Sequence, residues 1–248
     1  MGPIYLLTDS LSIYFLFLVN VIALFASWNQ VVANQLTPRP LFFNILVNLF
    51  HFTMLLVPVV DNLVFLWIAV EATTLVSTLL VSILDKRNSW EAAWKYLLVT
   101  STGIIFGLFG TMFLANAAQT LVPELGAGGD LNRLLDWSYL IGPDASGAPR
   151  ALQLPTDLVE LSFLFVLVGY GTKAGFAPMH TWLPDGHGEA PAPISALLSG
   201  VLLKSALYAI LRFSTLTNAA LGSSQFTSSL LLGTGLVSLL LRNSIHFE

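Results

Sequence analysis

Apolar runs of about 20 residues, separated by polar turns, leave this chain few folds to choose from. They fall near 11–28, 41–60, 63–84, 94–115, 158–183, 193–213 and 226–241. A run of that length crosses the bilayer hydrocarbon as a helix. Lipid offers the backbone no partners, so open sheets and lipid-exposed loops are excluded. The alternating ten-residue strands of a membrane barrel are not in the sequence. Only 10% of residues are charged and 55% are hydrophobic, against about 25% charged in a soluble domain. The expected fold is therefore all-α, a polytopic transmembrane bundle of about seven helices. It forms one domain, 1–248, with a long extramembrane loop at 116–156 that is rich in Gly, Pro and Asp. The first run has no basic segment before it and no small-residue cleavage site after it, so it reads as a retained helix. Cysteine is absent, which removes disulfides, thiol chemistry and cysteine ligation of iron–sulfur clusters. The net charge of −4 is spread along the chain and gives no nucleic-acid footprint.

Basic residues orient the bundle. Alternating spans put Arg39, Lys86, Arg87, Lys95 and Arg242 at one end and Arg133, Arg150 and Arg212 at the other. The richer end is expected to be cytoplasmic, with the N-terminus and loop 116–156 outside.

Charges within the spans carry the functional signal. Glu71 sits about eight residues into the third span, with Thr74 and Thr78 at i+3 and i+7 on its helix face. That stripe is either a lined polar path or an interfacial carboxylate at a helix end. Lys173 lies deep in the fifth span and is followed by Gly175 and Pro178. Proline has no N–H for the carbonyl of Ala174, and its ring clashes there. The spacing predicts a discontinuous helix over about 158–183, broken just after the lysine. Freed carbonyls at that depth need protein or water around them. Lys204 lies near the middle of the sixth span, with Gly200 and Tyr208 one turn away on either side. A lysine at the bilayer centre costs about 2.5–3.5 kcal/mol on insertion scales, so both are expected to be compensated or functional. An enclosed lysine is also the basic side chain most readily made to exchange its proton. The expected proton relay is Glu71, Lys173 and Lys204, with Tyr208 as a further candidate. In the connector, His180, Asp185, His187 and Glu189 are proton-uptake groups or simply a solvated turn; their spacing matches no specific metal set. His51 is either a hydrogen-bonded structural histidine or a relay member.

The stretch KAGFAPMHTWLPDGHGEAPAPISALLSGVLLKSALYAILRF resembles the antiporter-like membrane subunits of respiratory complex I, membrane-bound hydrogenases and multisubunit Na⁺/H⁺ antiporters. EATTLVSTLLVSI and EAAWKYLLVTSTGIIFGLFGT are most similar to the F component of hydrogenase-4. The resemblance runs from Asp9 onward. It implies that Glu71 pairs with Lys173 before the broken helix and that Lys204 is the central lysine of some members. Others of the family carry a histidine at the position of Ser199. It also implies proton translocation by a non-catalytic subunit of an oxidoreductase. Other membrane subunits and a peripheral redox arm would be its partners. Iron–sulfur, nickel–iron or flavin centres would lie only in those partners, and the membrane would be a bacterial or archaeal inner membrane. Members also carry a second, inverted repeat; the match here covers one repeat, roughly spans two to six, plus flanks. Two other functions fit the same motifs: a Na⁺/H⁺ antiporter subunit, or a structural anchor with an incomplete channel.

Overall fold

The structure, a computed structural model, describes residues 6–125 and 131–244; residues 126–130 of the expected long loop lie outside the described residues. Among the described residues, eleven α-helical segments follow one another. They are α1 Ser10–Leu36, α2 Pro40–Val59, α3 Leu63–Val81, α4 Arg87–Ala118, α5 Val122–Leu125, α6 Trp137–Ile141, α7 Thr156–Ala174, α8 Leu183–Glu189, α9 Ala192–Leu197, α10 Leu203–Leu221 and α11 Gln225–Ser244. Among the described residues the only strand-like contacts are isolated bridges. The molecule is a transmembrane helix bundle.

Among the described residues, five helical stretches are long and apolar enough to cross a membrane: Ser10–Gln30, Pro40–Val59, Leu63–Leu84, Arg87–Leu121 and Ala192–Leu221. The fifth and seventh expected spans form helices that fall short of that measure. α7 stops at Ala174 and carries Asp157, Glu160 and Lys173, while the apolar part of α11, Gln225–Leu241, is shorter. Two spans are longer than their apolar runs. α4 begins at Arg87, two turns before the apolar run at 94. α9 and α10 are fused through a π-helical turn, Leu198–Leu202, and continue to Leu221 because Ser214 and Thr217 are buried in the bundle.

Local chemistry sets the ends. Asp9 caps α1 through its carboxylate, which accepts from the Ser12 N–H at 2.9 Å. Asn62 caps α3 by accepting from Val64 N. Pro40 occupies the first turn of α2, where a missing N–H costs nothing.

α4 and α7 pack closest. A methyl added to Gly169 would lie 2.3 Å from the Gly107 nitrogen and 2.9 Å from the Gly103 carbonyl oxygen. Small residues thus bring two backbones into contact, the usual way membrane helices associate. Ser162 adds a hydrogen bond from its hydroxyl to the Gly110 carbonyl at 2.7 Å.

The extramembrane segment is not a free loop. Leu134, Leu140, Ala151 and Leu154 are buried in the same core as Leu63, Leu114 and Phe213. Asp61, in the α2–α3 turn, accepts from Ser138 N at 2.9 Å and from the Ser138 hydroxyl. Asn62 donates to Asp136 at 3.0 Å. This clasp closes one end of the bundle. At the other end a second core joins Phe43, Phe50, Leu80, Tyr96, Trp182 and Leu198.

Candidate functional site

The interrupted helix builds the site. α7 ends in a Schellman motif: Gly175 is left-handed at φ +81°, Phe176 N–H donates to the Gly171 carbonyl at 2.8 Å, and Gly175 N–H to Thr172 at 3.3 Å. The stop is therefore made by Gly175. Pro178, expected to break the helix, sits in the turn beyond it. Trp182 folds back from that turn and donates its indole N–H to the Thr172 carbonyl at 3.0 Å. The Gly171 and Thr172 carbonyls near the end of α7 are thus satisfied by protein.

Lys173, in the last turn of α7, is fully buried. Its Nζ donates to the Val70 carbonyl at 2.5 Å, to Thr73 Oγ1 at 2.8 Å and to Thr74 Oγ1. An ammonium has three protons to donate, and α3 supplies three acceptors. Thr73 was not among the expected residues. The signal for it was present as Val70, Thr73, Thr74 and Ser77, an i, i+3, i+4, i+7 face.

Glu71 follows Val70 directly. Its Oε1 accepts from the Ser101 hydroxyl of α4 at 2.7 Å; its Oε2 is buried and has no hydrogen-bond partner among the described residues. The two charges are held by the same turn of α3, but make no direct ion pair there. Thr78 turns its hydroxyl onto the Thr74 carbonyl at 2.8 Å, away from the carboxylate.

Other expected residues lie elsewhere. Lys204 is exposed, not enclosed, and donates to the Ser199 carbonyl at 2.6 Å, capping the π-helical turn. The sequence shows a lysine in mid-span but not that its side chain is exposed. Tyr208 belongs to a different cluster: it donates to the Pro58 carbonyl at 3.1 Å and receives Arg212 Nε at 2.9 Å. Arg212, read from sequence as lying at a span end, is buried inside the bundle. It binds Asp9 with two hydrogen bonds, at 2.7 and 2.5 Å, and stacks 4.3 Å from the Trp137 ring.

The connector groups line the end opposite the clasp. Asp185 accepts from Lys95 at 3.1 Å, Glu189 from Ser89 at 3.3 Å, and His187 lies 3.3 Å from the Ser195 hydroxyl. His180 Nδ1 and His51 Nε2 are buried without a hydrogen-bond partner among the described residues. Asn88, Glu91, Lys95, Asp185 and Glu189 surround a polar cleft of about 440 Å³. Among the described residues no three His, Asp or Glu side chains are grouped to hold a metal ion.

An interrupted helix and a fully buried lysine held against the turn of α3 that carries Glu71 define a polytopic membrane protein with a charged interior rather than a soluble domain. Residues 60–247 match the NADH:quinone oxidoreductase/Mrp antiporter transmembrane family, and the chain belongs to that family. It is 38% identical over 245 residues to a hydrogenase-4 component F homolog of Methylacidiphilum infernorum, covering 95% of this chain and 48% of that one. It is 32% identical over 196 residues to NAD(P)H-quinone oxidoreductase chain 4 3 of Trichormus variabilis, covering 79% of this chain and 32% of the relative. A chain of respiratory complex I from Thermus thermophilus with bound aureothin superposes with a TM-score of 0.62 at 27% identity, over 86% of this chain and 42% of its own. A chain of the archaeal membrane-bound sulfane sulfur reductase shares the fold, with a TM-score of 0.69 at 20% identity over 88% of this chain and 40% of its own. This chain spans less than half the length of each of these relatives.

Proposed function

We propose that this chain conducts protons as a non-catalytic membrane subunit of a redox-driven complex of the hydrogenase-4 or NADH–quinone oxidoreductase kind. The observation that carries the reading is the setting of Lys173: fully buried and held by three dipolar acceptors, one of them Val70, next to Glu71, whose Oε2 has no hydrogen-bond partner among the described residues. A buried cation balanced only by dipoles is costly. Turning the Glu71 carboxylate from Ser101 toward Lys173 supplies a full counter-charge and holds the proton. Turning it back, or neutralising it, favours release. Glu71 is thus the switch and Lys173 the carrier. Lys204, exposed on α9–α10, is the outlet of the relay toward whatever packs on that face. His180, Asp185, His187 and Glu189 belong to the uptake end.

In this reading the chain is one domain built on a single repeat plus flanking helices. Its partners are further membrane subunits and a peripheral redox arm. Any flavin, iron–sulfur or nickel–iron centre resides in those partners. The basic end, with Arg39, Lys86, Arg87 and Lys95, faces the cytoplasm of a bacterial or archaeal cell, and the clasp lies outside. Finding Arg212 inside the bundle supports this assignment by taking one basic residue from the outer count.

The test is proton pumping by the assembled complex in sealed vesicles, measured with the redox rate. Lys173→Ala should abolish pumping. Lys173→Arg should do the same, because arginine does not release its proton. Glu71→Gln should lower the protons moved per turnover by removing the switch. Normal pumping by the Lys173→Ala complex would leave the chain as an anchor and end the proposal.

A further inference from the structure

Tyr96 and Ser77 lie next to the lysine and have no part in the relay described so far. Both are fully buried. The Tyr96 hydroxyl on α4 is 2.7 Å from Ser77 Oγ on α3, and the Thr74 hydroxyl lies beside it as well. Ser77 spends its single proton on its own helix, at the Thr73 and Thr74 carbonyls, 2.6 and 3.1 Å away. It is therefore free to accept from the phenol. Thr74 Oγ1 in turn accepts from Lys173. Hydroxyls of two helices thus meet in series and end on the lysine.

The surroundings make the arrangement specific. Val76, Leu80, Ala93 and Trp182 form the local core, and the Tyr96 and Trp182 ring centroids are 4.8 Å apart. Phenylalanine would fill that space equally well, so packing does not require the phenol oxygen. The series also leads somewhere. Ala92 lines the polar cleft, and Tyr96 follows it one turn deeper, about 6 Å along α4.

We infer that the Tyr96 and Thr74 hydroxyls, with Ser77 positioning the phenol, are the route by which Lys173 exchanges protons with the cleft at the start of α4. The inference rests on the relay reading of Lys173. A neutral Lys173 amine takes the Thr74 hydroxyl proton, the Tyr96 O–H turns from Ser77 to Thr74 and passes its proton on, and Tyr96 recovers one from hydronium in the cleft, which leaves as water. One ammonium is formed, each hydroxyl is restored, and no oxidant or reductant is consumed. The hydroxyl series makes the cleft a proton-uptake site independent of Lys204.

The experiment uses the assembled complex in sealed vesicles and reads protons moved per redox turnover and the amount of complex assembled. Tyr96→Phe should cut pumping by about a hundredfold or more, the usual range for a lost acid–base group. Ser77→Ala should reduce it less, and Ser77→Thr, which keeps a hydroxyl, should restore it. Thr100→Val is the control. Its hydroxyl is buried on the same helix but serves only the Tyr96 carbonyl, at 2.7 Å, and pumping should be normal. Lys173→Ala separates the two ideas. If it is inactive while Tyr96→Phe and Ser77→Ala pump normally, the hydroxyl route is wrong and the relay stands. If Lys173→Ala itself pumps normally, both are wrong. Equal losses in Tyr96→Phe and Thr100→Val would assign the effect to packing and overturn the route.

Discussion

Asp9 and Arg212 form the most tightly tied charge pair in the bundle among the described residues. Arg212 Nη2 also donates to the Ser12 hydroxyl at 2.9 Å, so the guanidinium is bound on several sides. The Arg212 guanidinium holds the Asp9 carboxyl well below the usual carboxylate range. A lowered folded pKa stabilises the fold above the ordinary aspartate value of about 4, and that contribution fades as pH falls through the folded value. Thermal unfolding in detergent should therefore show wild-type stability dropping below about pH 4. The Asp9→Asn variant should start lower and lack this part of the drop. Arg212→Ala should cost on the order of 3 kcal/mol, since it leaves its partners unpaired. Arg212→Lys should recover only part, because an ammonium cannot make the two-point contact. None of this was legible in the sequence, where Arg212 sits near the end of an apolar run and its partner is distant. The lysine was legible, because a charge inside such a run is conspicuous. Its ligands were legible only in part. Thr74 and Thr78 share a stripe with Glu71, but Lys173 approaches the neighbouring face through Val70, Thr73 and Thr74. Periodicity cannot choose between faces when both lipid and protein neighbours are apolar.

The α4–α7 seam and the end of α7 decide where Lys173 stands. Gly169→Ala would press a methyl onto the backbone of α4, where no side chain can rotate away. The helices must separate, at a cost of about 1–3 kcal/mol for overpacking, and Lys173 moves with α7. Lower thermal stability together with impaired pumping is the expected result; a variant with normal stability would show the seam to be compliant. Gly175→Ala tests the stop itself. The left-handed conformation costs an L-residue about 1–2 kcal/mol, so this variant should be less stable by that amount in the same unfolding assay. The interruption after Lys173 was readable from Gly175 and Pro178 together, although glycine makes the stop and proline only follows it. The extents of α4 and α10 were not readable: Ser214 and Thr217 look like loop and are instead buried, while α4 starts in a turn whose Arg87, Asn88 and Glu91 are exposed.

Both cores and the clasp make the bundle one cooperative object. Asp61 is almost fully buried, and its carboxylate is what the 131–154 segment closes upon. Asp61→Ala would leave the Ser138 N–H without its acceptor, at a cost of about 1–3 kcal/mol. Limited proteolysis should then cut within 131–154 faster than in the wild type; unchanged cleavage would show that the apolar contacts of Leu140 and Leu154 hold the segment alone. The same end of the molecule joins α1 to α10 through a pair 203 residues apart in sequence. That separation has a consequence for how the protein is made. At about 5–20 residues per second, a ribosome needs roughly 10–40 s to travel from one partner to the other. Once in the membrane, α1 must wait there, its capping carboxylate unclaimed, until α10 arrives. During that interval any membrane insertase that shelters Asp9 and Ser12 does, for the nascent chain, the work that Arg212 does for the finished one.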